Sequence, residues 1–284
     1  MADQPIARID DSFTTVPQTI EGWCILHQMF RIKWRELKLL ADDEREAVAE
    51  KAAKVIAAME ESANGPSAAF SLIGHKGDLM LIHFRKTFEE LNAAELAISK
   101  LRFGDFIEPA SSYLSIIELG LYEFSVRLYA EIDREGIKRG SSAWKAMVDA
   151  ELDKQREKMV ERIWPKIPAK RYVCFYPMDK RRGEEKNWYQ LPIDDRRRLM
   201  HEHGLIGRRF ADRVTQIISG SIGLDDWEWG VDLFADNPVV FKKLIYEMRF
   251  DEASAAYALF GSFYNGVRCS PDRLIQVIGG KAPE

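Results

Sequence analysis

The feature that most constrains the fold of this 284-residue chain is a loose internal repeat. Three segments recur in the same order after an offset of about 150 residues. The pairs are G-W-C-I-L-H-Q-M-F from Gly22 with R-Y-V-C-F-Y-P-M from Arg171, D-L-M-L-I-H-F ending at Phe84 with G-V-D-L-F ending at Phe234, and L-R-F at Leu101–Phe103 with M-R-F at Met248–Phe250. Three matches in order indicate two related halves, so both halves are expected to fold alike.

Each half has the same predicted order of elements, which is strand, helix, two strands, helix, strand. After the strand near Gly22, the first half has predicted helices at Asp42–Glu61 and Thr87–Lys100 and strands at Ala69–Ile73, Leu79–Phe84 and Tyr113–Leu119. The second half has predicted strands at Tyr172–Met178, Val214–Ser219, Trp227–Phe234 and Ala258–Phe263, and helices at Ile193–His203 and Pro238–Met248. This order is that of a ferredoxin-like unit. The predicted fold class is therefore α+β, with two ferredoxin-like repeats forming a dimeric α/β-barrel-type fold within one chain.

The domain boundaries follow from the repeat. Residues 20–122 form the predicted N-terminal half and residues 171–268 the C-terminal half. Residues 123–170 are a charged connector with helical spacing, and their alternating charges are most simply explained by a solvent-exposed face.

Composition excludes several classes of protein. No apolar run approaches the roughly 20 residues of a membrane span, and the N-terminus, M-A-D-Q-P-I-A-R-I-D-D-S, lacks the layout of a signal peptide, so a cytoplasmic location is expected. The net charge of −4 argues against nucleic-acid binding. The three cysteines, Cys24, Cys174 and Cys269, have no C-x-x-C spacing and are predicted to be reduced and mostly buried.

One predicted strand carries an unusual set of side chains. Residues Cys174, Tyr176, Met178 and Lys180 alternate along it and therefore share a face. The simple interpretation is a packed tyrosine and a lysine that extends to water. The alternative is a ligand face, because Arg162, Lys180 and Arg208, with hydroxyls from Tyr176 and Ser254, suit several carboxylates. A flat polyanion fits this set better than a phosphate, since the chain has no P-loop.

Two further polar residues each have two interpretations. His203 lies in M-H-E-H-G-L-I-G-R-R, where Gly204 predicts the helix end. It is either a C-terminal cap residue interacting with the helix dipole or the proximal ligand of a non-covalently bound haem. Gln216 in V-T-Q-I-I-S is either a glutamine bonded to a neighbouring loop or a polar group directed into a ligand cavity.

The segment D-D-W-E-W-G-V-D-L-F from Asp225 alternates strictly. The tryptophans Trp227 and Trp229 share a face with Val231 and Leu233, which favours strand packing. The carboxylates on the opposite face are expected to meet solvent or a neighbouring subunit.

Together these segments resemble the chlorite dismutase-like superfamily, and within it the coproheme decarboxylases. The resemblance extends from about Gly22 to Gly266. It is densest in Y-P-M-D-K-R-R, N-W-Y-Q-L-P, E-H-G-L-I-G-R, D-D-W-E-W-G-V-D-L-F and E-M-R-F-D-E-A-S-A-A-Y-A-L-F-G. It implies two ferredoxin-like halves in one barrel, with haem bound by the C-terminal half, and a homopentameric assembly.

The resemblance also implies roles for individual residues. His203 matches the family's proximal iron ligand, Tyr176 its radical tyrosine and Lys180 the lysine that completes Y-P-M-x-K. The positions that match propionate contacts, or lie in matching motifs, are Arg162, Met178, Arg208, Ser254, Tyr122 and Trp188. Gln216 stands where true chlorite dismutases have a distal arginine. Trp164 and Asp179 depart from the family pattern without removing a proposed catalytic group.

The implied activity is oxidative decarboxylation, by hydrogen peroxide, of two propionates of iron coproporphyrin III (coproheme). The product is haem b, formed through a monovinyl intermediate, and a coproporphyrin ferrochelatase is the implied supplier of substrate. Two alternatives use the same fold: a chlorite dismutase or peroxidase with permanent haem b, and a haem carrier or sensor. Haem b has two propionates where coproheme has four, so the number of carboxylate-binding residues favours coproheme.

Overall fold

The computed structural model describes residues 16–278, so the N-terminal stretch examined for a signal peptide lies outside the described residues. The first half contains strands β1 (Thr19–Ile32), β2 (Ser67–Ile73), β3 (Leu79–Arg85) and β4 (Ile107–Gly120), and helices α1 (Trp34–Leu37), α2 (Asp42–Glu60) and α3 (Phe88–Ser99). Its strands lie in the order β4-β1-β3-β2. This is the ferredoxin-like order expected from the repeat.

The connector is helical. It forms α4 (Tyr122–Arg134), α5 (Ser142–Lys158) and α6 (Val160–Ile163). Its charged residues face solvent, while Leu128, Ile132, Val148 and Leu152 are buried against Ile20 of β1. The connector therefore packs on the first half through one apolar face.

The second half repeats the first. It contains β5 (Tyr172–Lys180), α7 (Ile193–Arg208), β6 (Thr215–Gly220), β7 (Trp229–Ala235), α8 (Val239–Met248), α9 (Glu252–Ala255), β8 (Ala258–Phe260), β9 (Tyr264–Arg268) and α10 (Pro271–Ile278). The order β6-β7-β5-β9 matches that of the first half. The predicted last strand, Ala258–Phe263, is wrong in its bounds. The chain instead forms two short strands, which pair with different parts of β5 and are separated by residues 261–263.

The two sheets close into one antiparallel barrel, which confirms the predicted fold class. Strands β4 and β6 join the halves on one side, β2 and β9 join them on the other, and β5 pairs with β7 to complete the ring. Side chains that point inward form an apolar interior that includes Phe70, Phe84, Phe175 and Phe234. Side chains that point outward are covered by the helices. Within residues 16–278 no helix is long and apolar enough to cross a membrane.

The expectation for the carboxylates that follow Asp225 is partly wrong. Asp232 is fully buried inside the barrel, where it bonds to His27, and Glu228 is buried beside the backbone of Lys180. Alternation places a residue on the opposite face of its strand, but in a closed barrel that face is the interior rather than solvent.

Candidate functional site

The outer face of β5, which packs against the helices, carries the alternating side chains that were predicted to share a face. Cys174, Tyr176 and Met178 lie in one cluster beneath α7 and α8, while Val173 and Phe175 point into the barrel. Tyr176 is 4% exposed and stacks on Phe263 with 4.6 Å between ring centroids. Burial raises the pKa of its phenol, so the hydroxyl stays protonated at neutral pH. Tyr176 is therefore a neutral, rigidly packed donor of a hydrogen atom or proton.

The strand ladder is interrupted beside Tyr176. On one side of β5, pairing with β9 ends at Phe175, opposite Tyr264, and pairing with β8 starts only at Met178, opposite Phe260. On the other side β7 pairs without a break, so Tyr176 lies opposite Val231. The break between β8 and β9 places Phe263 over the tyrosine ring. This irregular segment thus forms one wall of the site.

Helix α7 supplies His203, and it extends further than predicted. The helix continues through Gly204 to Arg208, so His203 is not a C-terminal cap residue. A glycine ends a helix efficiently when it adopts a positive φ, and Gly204 does not. Ile206 continues the apolar face and packs on the cluster that contains Tyr176. His203 therefore lies in a helix interior, one turn before Gly207.

The imidazole of His203 is held by a carboxylate. Its Nδ1 lies 3.0 Å from Oδ2 of Asp251, and its side chain is 26% exposed. Asp251 also accepts hydrogen bonds from the hydroxyl and the backbone N–H of Ser254. Burial opposes ionisation of Asp251, but the bonds with His203 and Ser254 outweigh it and lower its pKa. An ionised Asp251 accepts a hydrogen bond from the Nδ1–H group of His203. The proton then stays on Nδ1, and the lone pair of Nε2 is available to a metal.

Asp251 was missed by the sequence analysis, although a signal for it exists. In D-E-A-S, Asp251 precedes the short helix α9, and its Oδ1 accepts the N–H of Ser254 at the third following position. That pattern predicts an N-cap. Nothing local in the sequence predicts that the second carboxylate oxygen turns toward a histidine 48 residues earlier.

Lys180 lies on the helix-facing side of β5 and does not extend to water. It is 7% exposed, its Nζ donates to the carbonyl of Ala253 at 3.3 Å, and it lies 4.4 Å above the ring of Trp188. Burial lowers its pKa to about 8, against the attraction of Asp251 and Glu228. Lys180 is thus a buried cation close to the carboxylate that holds His203.

The aromatic residues near Lys180 form a separate cluster. Trp188 is fully buried and packs edge-on against Tyr257, and Tyr122 lies against the same group. Burial raises the pKa of Tyr122, despite the nearby Arg196. Through the ring of Trp188, this cluster packs against the ammonium group of Lys180.

Gln216 faces α7 from the outer side of β6. A Cβ added at Gly207 would lie 3.4 Å from its Nε2 and 3.6 Å from Cε of Met248. His203 and Gly207 are four residues apart and share a helix face, so Gln216 lies across from that face. His203 and Gln216 therefore belong to two elements, α7 and β6, that face each other.

Two predicted arginines are not brought to this site. Arg162 is exposed at the end of α6, where its guanidinium lies 3.8 Å from the sulfur of Met159. Arg208 is exposed in the last turn of α7. A cation that the sequence analysis missed, Arg249, lies 3.8 Å from the ring centroid of Phe260, and its charge opposes the rise in the pKa of Tyr176.

The residues present fit an iron porphyrin. Helix α7 offers an imidazole whose Nε2 has no hydrogen-bond partner among the described residues, and strands β5 and β6 offer a stacked tyrosine, a thioether and a neutral amide. A single imidazole suits a metal whose other ligands come from a macrocycle. Within residues 16–278 no group of three or more His, Cys, Asp or Glu side chains is placed to hold a metal ion.

Comparison with known proteins agrees with this geometry. The family model described as chlorite dismutase matches residues 45–269. A coproheme decarboxylase of Staphylococcus saprophyticus is 40% identical over 91% of this chain and 96% of its own length. The chain belongs to the chlorite dismutase family. A second relative, from Natronomonas pharaonis and named for heme binding, is 42% identical, and the chain spans 41% of its length.

Two solved structures share the fold of this chain. A heme-binding protein from Thermus thermophilus superposes with a TM-score of 0.78 at 36% identity, covering 93% of this chain and 99% of that one. A chlorite dismutase of Candidatus Nitrospira defluvii superposes with a TM-score of 0.66 at 15% identity, covering 91% and 96% of the two chains. At that identity the second match shows the chlorite dismutase fold alone.

Proposed function

We propose that this protein is a coproheme decarboxylase that converts two propionates of coproheme to vinyl groups. The observation that carries the proposal is a buried, protonated Tyr176 on β5 that packs beneath α7, the helix that carries His203 with its Nδ1 held by Asp251. The relatives named coproheme decarboxylase, at 39 to 40% identity, support the same reaction.

In this proposal the Nε2 atom of His203 holds the iron of the substrate. Bound coproheme, together with hydrogen peroxide, supplies the oxidising chemistry. The protein positions the groups that react. Asp251 fixes the ring and tautomer of His203, and the packed aromatic residues around Tyr176 exclude water from its hydroxyl.

Tyr176 carries the chemical step. It gives up one electron and its hydroxyl proton, and the resulting radical takes a hydrogen atom from the β-carbon of the neighbouring propionate. The bond to the carboxylate carbon then breaks, carbon dioxide leaves and a vinyl group forms. For each propionate, the two electrons released reduce one hydrogen peroxide to two water molecules, with uptake of one proton. Repetition at a second propionate gives haem b through a monovinyl intermediate.

Lys180 is the proposed partner of the second reacting propionate. With a pKa of about 8, it titrates near physiological pH and is able to donate a proton as well as attract a carboxylate. Gln216 carries no charge and is a poor stabiliser of an anion derived from chlorite, which supports decarboxylation over chlorite dismutation. The proposed porphyrin contacts also include Arg162, Met178, Arg208, Ser254, Tyr122 and Trp188.

Arg162 and Arg208 act in this proposal from the rim of the site. Both are long, exposed side chains, so a bound propionate is able to recruit them without unfolding the core. The cytoplasmic location, the homopentameric assembly and the supply of substrate by a ferrochelatase stay predictions from the family resemblance.

The test compares Tyr176→Phe with Tyr172→Phe, a matched change on the same face of the same strand. Each apoprotein is mixed with ferric coproheme and titrated with peroxide, and the porphyrin is followed by mass spectrometry. We expect stepwise loss of two carbon dioxide units in the wild type and in Tyr172→Phe, and almost none in Tyr176→Phe. Equal turnover in all three would refute the radical role. Oxygen release from chlorite with retained haem b would favour a chlorite dismutase, and tight binding without turnover a carrier.

A further inference from the structure

A buried polar pair inside the barrel takes no part in the mechanism above. His27 of β1 and Asp232 of β7 are both 0% exposed, and the Nε2 atom of His27 lies 2.9 Å and 3.1 Å from the two carboxylate oxygens. The imidazole of His27 also stacks on Phe175 of β5, with 4.0 Å between centroids and 20° between planes. One side chain of the first half therefore contacts two strands of the second.

The contact crosses the barrel rather than following its wall. Around the closed ring of strands, β1 and β5 lie four strands apart in either direction, so they face each other across the interior. Phe175 and Asp232 are register partners on neighbouring strands. The side chain of His27 therefore crosses the barrel interior and contacts two paired residues of the opposite wall, Phe175 and Asp232.

This opposite wall carries Tyr176 on its outer side. Phe175 directly precedes Tyr176, and the hydrogen-bond ladder on the β9 side of β5 stops at Phe175. Pro177, the next residue, has no N–H to donate. The carbonyl of Pro177 accepts the N–H of Gly261, which lies in the irregular segment between β8 and β9. On that side of β5 this single bond stands in place of a continuous ladder, so the backbone around Tyr176 depends on β7 and on the anchoring of Phe175 more than a residue in an uninterrupted sheet does.

We propose that His27 and Asp232 are positioning residues that fix the orientation of the Tyr176 ring through Phe175. The bond between His27 and Asp232 sets the distance between β1 and β7, and the stacked imidazole holds Phe175 in place. The inference rests on the proposed function, because ring orientation matters only if Tyr176 reacts. It adds a role for strand β1 of the N-terminal half.

The test uses His27→Phe, which retains an aromatic ring against Phe175 but leaves Asp232 unpaired, and Asp232→Asn, which retains the shape and removes the charge. The control is His83→Phe. His83 is an equally buried histidine that bonds to Ser67 on the outer face of the first half. It should lose comparable stability without touching β5.

The first measurement needs no porphyrin. The apoproteins are labelled with 3-fluorotyrosine, and the Tyr176 resonance is assigned by its loss in Tyr176→Phe. We expect this resonance to shift or broaden in His27→Phe and Asp232→Asn but not in His83→Phe. An unchanged resonance in both interior variants would overturn the inference, whatever the enzyme does.

The second measurement uses ferric coproheme and peroxide. We expect coproheme affinity within about twofold of the wild type, since His203 is untouched, but a first decarboxylation slower by about ten- to hundredfold, as small displacements of reacting groups produce. The hyperfine splitting of the tyrosyl radical, which reports the ring angle, should change in parallel. A wild type without radical or decarboxylation would instead refute the proposed function.

A double variant, His27→Phe with Asp232→Leu, separates positioning from stability. Replacing both partners of a buried polar pair by apolar groups is often nearly neutral for folding. We expect the double variant to regain stability relative to His27→Phe while its decarboxylation stays slow. Recovery of the wild-type rate together with stability would show that the pair is merely structural.

Discussion

Replacing Lys180 by methionine is predicted to stabilise the apoprotein at neutral pH. The ammonium of Lys180 is buried, with one hydrogen bond to the carbonyl of Ala253 and the ring of Trp188 beneath it. Methionine has a similar length and flexibility but no charge. The substitution therefore retains most of the packing and removes a poorly solvated cation.

The magnitude follows from the pKa of Lys180. Burial lowers this pKa from 10.5 to about 8. Protonated Lys180 is thus less favourable in the folded than in the unfolded protein by about 3 kcal/mol, at about 1.36 kcal/mol per pH unit. Loss of the bond to Ala253 costs the variant about 1 kcal/mol. The net gain at pH 7 is therefore about 2 kcal/mol.

The sign of the pH dependence is the reverse of that for a lysine whose pKa is raised by a partner, because here the folded-state pKa is lowered. Between pH 8 and 10.5 the unfolded chain binds more protons at Lys180 than the folded chain does, so this residue's contribution to stability rises with pH. Below pH 8 both states are protonated and the penalty is constant. The advantage of Lys180→Met should therefore be constant at acidic and neutral pH and disappear by about pH 10.

The assay is urea unfolding of the apoprotein at pH 7 and pH 10, compared between wild type and variant so that the titration of other groups cancels. Lys186→Met is the control, because Lys186 is exposed and lies 5.7 Å from the ring of Tyr257. It should change the free energy of unfolding by less than about 0.5 kcal/mol. A Lys180→Met protein that is less stable at pH 7, or whose difference from wild type is independent of pH, would refute the argument.

Two further predictions concern the iron ligand and the packing of the connector. Asp251→Ala removes the acceptor for Nδ1 of His203, so we expect coproheme affinity, measured by absorbance titration, to fall about ten- to hundredfold. Gly22→Ala places a Cβ 1.7 Å from the carbonyl oxygen of Ile163, so the connector must shift. We expect a loss of about 2 to 3 kcal/mol in the free energy of unfolding, measured in urea.

Each of these changes has a matched control. Glu252→Ala removes the neighbouring carboxylate, which pairs with Arg198 on the surface, and should leave coproheme affinity unchanged. Gly183→Ala adds a Cβ at ordinary contact distance, 3.5 Å from the nearest carbonyl oxygen, and should change stability little. If either control matched its test variant, the stated contact would not be the cause.

The sequence predicted the architecture because the same pattern occurs twice. Apolar periodicity identified most strands, and the repeat implied that both halves share one strand order. The break between β8 and β9 escaped prediction, because A-L-F-G-S-F at residues 258–263 contains no proline or charged residue that would mark the end of a strand. The chain departs from the regular strand where Gly261 packs against Pro177 and the ring of Trp227, a contact that exists only in the folded barrel.

The candidate site was predictable only where its residues follow a local pattern. Alternation correctly placed Tyr176, Met178 and Lys180 on one face, since that rule is local. Asp251 and the buried Asp232 required knowledge of tertiary contacts with residues far along the chain. The helix end was predicted wrongly at Gly204, because glycine often ends a helix but is also tolerated inside one. The helix continues to Arg208, and Ile206 beyond the glycine packs on the apolar cluster.

The most direct test of the central claim is the stoichiometry of the wild-type reaction. Purified apoprotein is loaded with one equivalent of ferric coproheme, and hydrogen peroxide is added in small steps while porphyrin mass and released carbon dioxide are measured. We predict two carbon dioxide molecules per porphyrin, haem b as the product and a monovinyl species at intermediate peroxide. Coproheme that is unchanged, or bleached without release of carbon dioxide, would contradict the account.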